Sequence, residues 1–404
     1  MEKGTQGRSP NYYAWRRFLR NKPAVGGLCI IVLSAIIALL GYLVTPDPTP
    51  HANNMILELE THSPGHKAKI LRVHRNQNVE SRNIFHRMLF GQPNKYRDVP
   101  ITDYRFEEGQ IVVKRYVGLE GEEGMEERYS LANVVFPLQG GEADVRKEGD
   151  KLIFVHYDGT EMQQSVSELV SMTERSNLVE RRYLLGTDRF GRDMLSRLIL
   201  GTRISLSVGF IAVFISLVIG ITIGALGGFF RGGVDNFVMW LINVVWSVPA
   251  LLLVIALTMV IGEGFWQVFV AVGLTMWVEI ARIVRGQIIS IREKEFVEAA
   301  YALGYGNLRI ISRHLIPNVM SPVIVIAAVN FATAILLEAG LSFLGVGVQP
   351  PMPSWGVMIN DHFGYVVVDA AYLAILPGLA IIVMVLAFNL LGNGMRDALD
   401  VQMR

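Results

Sequence analysis

The chain has 404 residues, 51% hydrophobic and 18% charged, with 37 Lys+Arg against 36 Asp+Glu and a formal net charge of +1. A mean hydropathy of +0.37 fits a polytopic membrane protein and not a soluble one, and the balanced charge gives no electrostatic reason to expect a nucleic-acid partner. The single cysteine, Cys29, excludes an intramolecular disulfide, and its apolar setting makes it a small core residue.

The charge is spread unevenly: residues 46–182 hold 18 Lys+Arg and 22 Asp+Glu, which implies water around that block and lipid around most of the rest. At the N-terminus Lys3, Arg8, Arg16, Arg17, Arg20 and Lys22 stand against Glu2 alone, and an apolar run follows at 23–44. That run can cross about 30 Å of hydrocarbon. Tyr42-Leu43-Val44-Thr45-Pro46 offers no small-residue cleavage site, so an uncleaved first span is expected. The positive-inside rule then puts the N-terminus in the cytoplasm and the block after Pro46 outside.

That block reads as an inserted extracytoplasmic domain, α+β or β-rich. Strands are expected at 110–117, 131–136 and 151–157, with a type I′ hairpin at Asp158-Gly159 and a helix at 165–173. Six of the eight histidines fall here (His51, His62, His66, His74, His86 and His156); irregularly spaced and without cysteine, they read as solvated side chains and not a metal site. The acidic run at 120–127 lacks the alternation and closing Glu of a calcium loop and reads as solvated.

Next comes Leu185-Gly186-Thr187-Asp188-Arg189-Phe190-Gly191-Arg192-Asp193. Asp188 and Asp193 are either paired carboxylates or, with Arg192 and Arg203 nearby, an ion-pair cluster at a helix entrance. Five further spans are expected at 205–230, 236–262, 266–284, 320–341 and 372–392. Gly220, Gly224 and Gly228 repeat every four residues and allow close helix approach, and Pro249 should kink the third span. With six spans, Arg231, the 282–313 region and the tail with Arg396 and Arg404 share one side. The opposite loops, 262–265 and 345–371, contain no Lys or Arg, so both termini are expected in the cytoplasm.

Three intramembrane residues stand out as pathway or structural groups. Glu338 is costly in lipid and should face the bundle interior, a partner or the pathway; Asn330 is a weaker candidate, and Pro249 is the third. Glu279 and Arg282 have helical spacing for an ion pair.

Residues 298–317 form a polar hinge between spans. Phe296, Ala300 and Leu303 recur at one helical face, Gly304 suits a left-handed cap, and Asn307 can cap a second helix over 308–315 with Arg309 and Arg313 outward. Pro317 should interrupt that helix.

Glu298-Ala299-Ala300, Gly304 and the His314-Leu315-Ile316-Pro317 ending resemble the cytoplasmic signature of ABC importer permeases. The 185–193 segment, Ser342-Phe343-Leu344-Gly345-Val346-Gly347-Val348-Gln349-Pro350-Pro351 with Ser354-Trp355-Gly356, and the 389–400 ending resemble the C-type permeases of dipeptide, oligopeptide and nickel importers. The prolines and glycines of the 342–356 stretch suggest a structured re-entrant or gate-like loop. The resemblance is loose over 21–44 and strong over 185–400, and it offers no role for 46–182.

It implies an all-α polytopic membrane protein, a type I ABC importer permease of six transmembrane helices, divided as 1–45, 46–183 and 184–404. Glu298, Ala299, Ala300, Gly304, His314 and Pro317 would couple to the ATPase, and Asp188, Arg192, Asp193 and Trp355 would form an extracytoplasmic motif. The implied partners are a B-type second permease, two ATP-binding subunits, an extracytoplasmic substrate-binding protein and membrane lipid, in a bacterial inner membrane. No Gly-Lys dipeptide occurs, so a Walker A loop is absent from the sequence. The chain is therefore expected to be no enzyme and to hold no cofactor, with ATP-Mg on the partner subunits. Peptides are the expected cargo. Alternatives are nickel, glutathione or another small solute, or a membrane sensor or regulatory subunit whose external domain binds a ligand.

Overall fold

The computed structural model describes residues 10–118, 124–262 and 264–399. Lys3, Arg8, Glu120, Glu122, Glu123, Asp400 and Arg404 of the sequence reading lie outside the described residues. The chain divides into two compact units, one of Met1–Ala38, Gly201–Phe363 and Ala374–Arg404, the other of Leu39–Leu200 and Gly364–Leu373. It opens with α1 (Pro10–Arg20) and α2 (Lys22–Val44). Asn21, between them, accepts from the Ala24 N–H at 3.2 Å and so caps α2.

The 39–200 unit is built on an antiparallel sheet of β1 (Lys67–His74), β2 (Tyr96–Glu107), β3 (Gln110–Arg115), β4 (Glu126–Ser130) and β8 (Leu178–Arg182), in the order β4-β3-β2-β1-β8. A smaller antiparallel sheet holds β5 (Arg146–Glu148), β6 (Lys151–Val155) and β7 (Glu161–Ser165). Three short helices complete it: α3 (Ile84–Phe90), α4 (Leu131–Val135) and α5 (Val166–Met172). Both faces of β1 are covered. Leu71 and Val73 join a core with Ile111, Val113, Leu131, Phe154 and Leu169, while Ala68 and Ile70 pack with Ile56, Leu59 and Tyr183. A strand buried on both faces loses clean alternation, as 70 and 71 show.

Two local expectations fail here. Residues 131–136 contain a helix, not a strand: Leu131, Ala132, Asn133 and Val134 are all buried, and Phe136 N–H donates to the Ala132 carbonyl at 2.8 Å. A short, uninterrupted apolar run carries no period to tell helix from strand. The β6–β7 hairpin forms, but its turn is not type I′. Only Gly159 has positive φ (+89°), and Gly159 N–H donates to the His156 carbonyl, which makes a three-residue loop ending in a left-handed glycine. The expected helix at 165–173 is α5, where Ser165 accepts from the Glu168 N–H at 3.3 Å.

The other unit is helical: α6 (Met194–Phe230), α7 (Gly232–Trp246), α8 (Ala250–Ile261), α9 (Phe265–Ile291), α10 (Glu295–Ala302), α11 (Asn307–Ile310), α12 (Ile316–Phe343), α13 (Trp355–His362) and α14 (Tyr372–Leu399). Among the described residues five helices are long and apolar enough to cross a membrane, and α7 with α8 makes a sixth candidate bent by 92°. Pro249, with φ −55° and ψ 130°, lies at that bend as the residue before α8. The kink expected there is present, as a sharp break between the two helices.

The glycine repeat of α6 sits directly on α9. A Cβ at Gly220 would come within 2.7 Å of Ile280 Cβ, one at Gly224 would strike the Ala281 carbonyl oxygen, and one at Gly228 would come within 2.8 Å of the Arg285 carbonyl oxygen. Gly27 of α2 likewise abuts Ala387 of α14, and Phe331 of α12 stacks on Phe388 of α14 with centroids 4.1 Å apart. Cys29 is exposed on α2, not in the core as expected. Arg282 lies over the Trp246 ring, 3.4 Å from its centroid, while Glu279 is exposed; the expected ion pair between them is not among the described contacts.

Candidate functional site

α10 ends where the sequence requires. Glu295 and Glu298 occupy its first turn, where carboxylates complement the exposed N–H groups. Past its end, Gly304 adopts φ +75°. Tyr305 N–H donates to the Ala300 carbonyl and Gly304 N–H to the Tyr301 carbonyl, the paired bonds of a Schellman turn. A residue with a β-carbon is strained there, though a Cβ would meet nothing within 4 Å.

The buried face of α10 differs from expectation. Val297 and Ala300 pack against Ala225, Phe229, Ile288, Ile310 and Leu315. Phe296 and Leu303, expected on that face with Ala300, are 40% and 70% exposed, as are Tyr301 at 42% and Leu308 at 80%. Glu298 and Ala299 are also exposed. Ala300 is therefore a packing residue, and the outward surface is Glu298-Ala299 with an apolar rim.

The second helix also departs from the reading. Asn307 is not a cap: Gly306 precedes α11, and no side chain bonds to its start. Pro317 does not stop the helix. The segment runs unbroken from Asn307 to Phe343, because residues 311–315 form a wide turn in which Ile316 N–H donates to the Ile311 carbonyl five residues back. That turn resets the ladder just before Pro317, which falls in the first turn of α12 where no donor is needed. His314 stacks on Tyr305, with centroids 5.8 Å apart, and Arg309 lies over the same ring at 4.4 Å. Arg309 and Arg313 are exposed.

Cations that the sequence reading did not pair secure the base of this loop. Arg285 of α9 makes two bonds to Asp235 of α7, at 2.5 and 2.7 Å. Arg231 bonds Glu293 at 2.7 Å, and Arg292 donates to the Phe229 carbonyl. The available signal was Asp235, a lone carboxylate in an apolar stretch.

Glu338 is fully buried. Its Oε1 accepts from Ser342 Oγ at 2.8 Å and its Oε2 from Ser205 Oγ at 3.3 Å, joining α12 to α6. Ser342 Oγ also receives Ser354 Oγ at 3.5 Å and the Val348 N–H at 3.1 Å, and Ser354 caps α13 through the Val357 N–H. One carboxylate thus gathers three serines from two helices and the loop before a third. Trp355 follows, pressed on Gly201, where a Cβ would come within 2.8 Å of the indole. Asn330, two turns before Glu338, is buried, and its Nδ2 has no hydrogen-bond partner among the described residues. At the α7–α8 bend a cavity of 240 Å³ is lined by Trp246, Val248, Pro249, Leu253, Thr275 and Val278, among others. These groups do not converge with the α10 turn into one site.

In the 39–200 unit Asp188 is the centre of its motif. It accepts from the Phe190 and Arg192 N–H groups, both at 2.9 Å, and from Arg192 Nε at 2.6 Å, with Arg197 Nε at 3.5 Å. Arg197, which the sequence did not single out, is a second cation beside it. Asp193 does not pair with Asp188; it caps α6 through the Ser196 N–H at 2.7 Å and the Ser196 hydroxyl. Burial pushes the Asp193 carboxyl above its ordinary 3.8, against the opposing pull of Ser196. Gly186 and Gly191 have φ +75° and +68°, and a Cβ on either would strike the carbonyl of His62 or Ile56, so this loop lies directly on the 56–62 segment.

The histidines are less scattered than expected. His62 and His66 are in edge contact with centroids 4.0 Å apart, and His62 Nε2 is 2.7 Å from Tyr116 Oη. Among the described residues no group of three or more His, Cys, Asp or Glu is placed to hold a metal ion.

Residues 198–404 match the family described as binding-protein-dependent transport system inner membrane component, and residues 9–61 match the N-terminal TM domain of oligopeptide transport permease C. Among curated relatives, the glutathione transport system permease protein GsiD of Pectobacterium atrosepticum is 41% identical over 54% of this chain and 73% of its own length. The dipeptide transport system permease protein DppC of Alkalihalophilus pseudofirmus is 41% identical over 54% and 72%, and the oligopeptide transport system permease protein OppC of Haemophilus influenzae 40% over 57% and 74%. Of solved structures, the inward-facing MetNI methionine ABC transporter is similar over 51% of this chain and 98% of that one, at 23% identity and a TM-score of 0.43. The chain belongs to the binding-protein-dependent transport inner membrane components, as a C-type permease of the ABC importers.

Proposed function

We propose that this permease carries peptides across a bacterial inner membrane, crossing it six times with α7 and α8 as one broken span, and that α10 is where separate ATP-binding subunits drive it. Both termini and the α10 loop face the cytoplasm, and 46–183 is an extracytoplasmic insertion between 1–45 and 184–404. Supporting this orientation, Arg231 lies between α6 and α7, and Arg292, Arg309 and Arg313 lie between α9 and α12, whereas 345–371 carries no Lys or Arg. Peptide cargo is supported by relatives named for glutathione, dipeptide and oligopeptide transport.

The observation that carries the coupling role is the two-faced α10. Val297 and Ala300 lock it to the ends of α6, α9 and α12, while Glu298, Ala299, Tyr301 and Leu303 are left outward. A partner gripping the outer face moves the spans through the inner one. Glu298, Ala299, Ala300, Gly304, His314 and Pro317 are the coupling residues, Ala300 and His314 from within. Glu338, with its serines, holds α6, α12 and the loop before α13 together; Asn330 and Pro249 remain pathway candidates, and Asp188, Arg192, Asp193 and Trp355 serve the outer side. The partners are a B-type permease, two ATPases and a substrate-binding protein. The chain holds no cofactor and catalyses no reaction; ATP-Mg sits on the ATPases.

Gly304→Val tests this cleanly. Its β-carbon meets nothing within 4 Å, and the left-handed backbone adds about 1–2 kcal/mol of strain. In the reconstituted complex, peptide uptake per ATP hydrolysed is expected to fall. An unchanged ratio would remove α10 from the coupling path.

A further inference from the structure

In the 39–200 unit, α3 leaves its apolar side chains outside the core. No residue of the helix is buried. Ile84 is 63% exposed, Phe85 73% and Leu89 41%. At about 3.6 residues per turn Ile84, Phe85, Met88 and Leu89 share one side, while His86 and Arg87 lie on the other. Phe90 closes onto the His86 ring, with centroids 4.9 Å apart. The helix is therefore amphipathic, and its apolar side faces away from the rest of its unit.

The loop that carries α3 is fastened to the end of α2. Asn83 caps α3, accepting from the His86 N–H at 2.8 Å. Arg82 Nη1 donates to the Phe90 and Gly91 carbonyls at 3.1 and 3.0 Å, and Gln92 Oε1 accepts from the Arg82 N–H at 3.1 Å. The residues before and after the helix are thus held together. Gln92 N–H in turn donates to the Pro48 carbonyl at 2.8 Å, and Gly91 lies on the Tyr42 ring, where a Cβ would come within 2.9 Å. Tyr42 stands just before Leu43 and Val44, which complete α2 and are 40% and 65% exposed. A helix of seven residues is about 10 Å long, so α3 stays close to the headgroup region where α2 leaves the hydrocarbon.

An exposed apolar patch of this kind meets either a protein or a lipid layer. Continuity favours lipid. The apolar side of α3 is tied to the exposed apolar end of α2, a helix long and apolar enough to span a membrane, and the opposite side of α3 carries the exposed Arg87, suited to a lipid phosphate. We propose that α3 lies in the membrane–water interface, with Ile84, Phe85 and Leu89 among the lipid acyl chains and Arg87 at the phosphates, tethering the 39–200 unit to the bilayer beside α2. This rests on the reading of α2 as a membrane span. α3 falls between the two family-matched segments, so the tether belongs to the part of the chain that they leave without a role.

The test is fluorescence quenching on the complete transporter in lipid nanodiscs, with an environment-sensitive dye on single cysteines. The native Cys29, exposed on α2, reports the span. In a Cys29→Ser background, Phe85→Cys reports α3, and Glu148→Cys, at an exposed position among the charged residues of β5 and β6, reports water. A phosphatidylcholine with a nitroxide high on its acyl chain is expected to quench the dye at Phe85→Cys and at Cys29 but not at Glu148→Cys. Iodide should quench Glu148→Cys far more than Phe85→Cys. The proposal is overturned if iodide reaches Phe85→Cys as freely as Glu148→Cys, which places α3 in water, or if neither quencher reaches it, which places α3 against a protein. Loss of nitroxide quenching at Cys29 as well would overturn the span reading together with the tether, whereas loss at Phe85→Cys alone overturns only the tether.

Discussion

In the helical unit, elements meet where side chains are missing. Gly220, Gly224 and Gly228 let α6 rest on the backbone of α9, and Gly201 and Gly356 seat α13. In the 39–200 unit, elements meet where side chains interdigitate: Leu71, Val99, Ile111, Leu131, Phe154 and Leu169 fill one core, and charged groups pair on the open surface, as Arg105 does with Glu107 and Glu126. The difference follows from the surroundings. A helix in lipid gains little by hiding apolar surface, so close backbone approach and buried hydrogen bonds must hold it. A sheet in water is held by burial, and its surface charges add little.

The contrast is broken most directly at Gly224. Gly224→Leu drives a side chain into the Ala281 carbonyl and Val284, so α6 and α9 must part; overpacking of this kind costs about 1–3 kcal/mol or more. We expect a strong loss of folded protein in detergent, measured by size-exclusion yield and melting. A parent-like melt for Gly224→Leu would mean the glycine contact is incidental.

Glu338 sharpens the same contrast at smaller amplitude. Glu338→Ala leaves Ser205 and Ser342 without their common acceptor, and each orphaned buried group costs about 1–3 kcal/mol. Glu338→Gln keeps an acceptor and the shape, so its melting point should lie much nearer the parent's. Equal melting of the two variants would show that the serines find other partners.

How far the sequence was legible follows the same division. Hydropathy marks the spans because lipid demands long apolar runs, and a four-residue glycine period has few meanings inside one. Gly304 was readable because a left-handed turn after a helix leaves few alternatives. Which face of α10 is buried was not, since Phe296, Val297, Ala300 and Leu303 are all apolar and only the position of the bundle chooses among them. Nor was the Asp235–Arg285 bond, whose partners are distant in sequence. In the 39–200 unit, the strand at 151–155 alternates and was legible, whereas 131–134 is buried without a break and gave no period. Asp188 was marked as part of a cluster, but its second cation depended on which turn of α6 faces the loop, and that turn brings Arg197.

The finest separation of the two units is by pH. In the 39–200 unit, burial and the neighbouring His62 hold the His66 imidazole below its ordinary 6.5, and burial, with Lys95 and His156, does the same to His74. Below pH 6.5 the unfolded chain takes up protons that the folded unit still refuses, so stability rises with pH in that window and falls as pH drops through the folded values. Above 6.5 both states are neutral and the contribution vanishes. Hydrogen exchange of the full chain between pH 7.5 and 5, corrected for intrinsic rates, should therefore show protection fading in the five-stranded sheet. The effect should be smaller than that of either substitution above, because both rings are only partly buried. His66→Gln with His74→Gln should flatten the slope in β1, which carries His74 and begins beside His66, while leaving α6 and α9 as they were. A slope that survives both changes would remove the two imidazoles as its source, and Asp193 could not replace them: a carboxyl that burial raises from 3.8 takes up its proton in the folded state first, so it adds stability as pH falls.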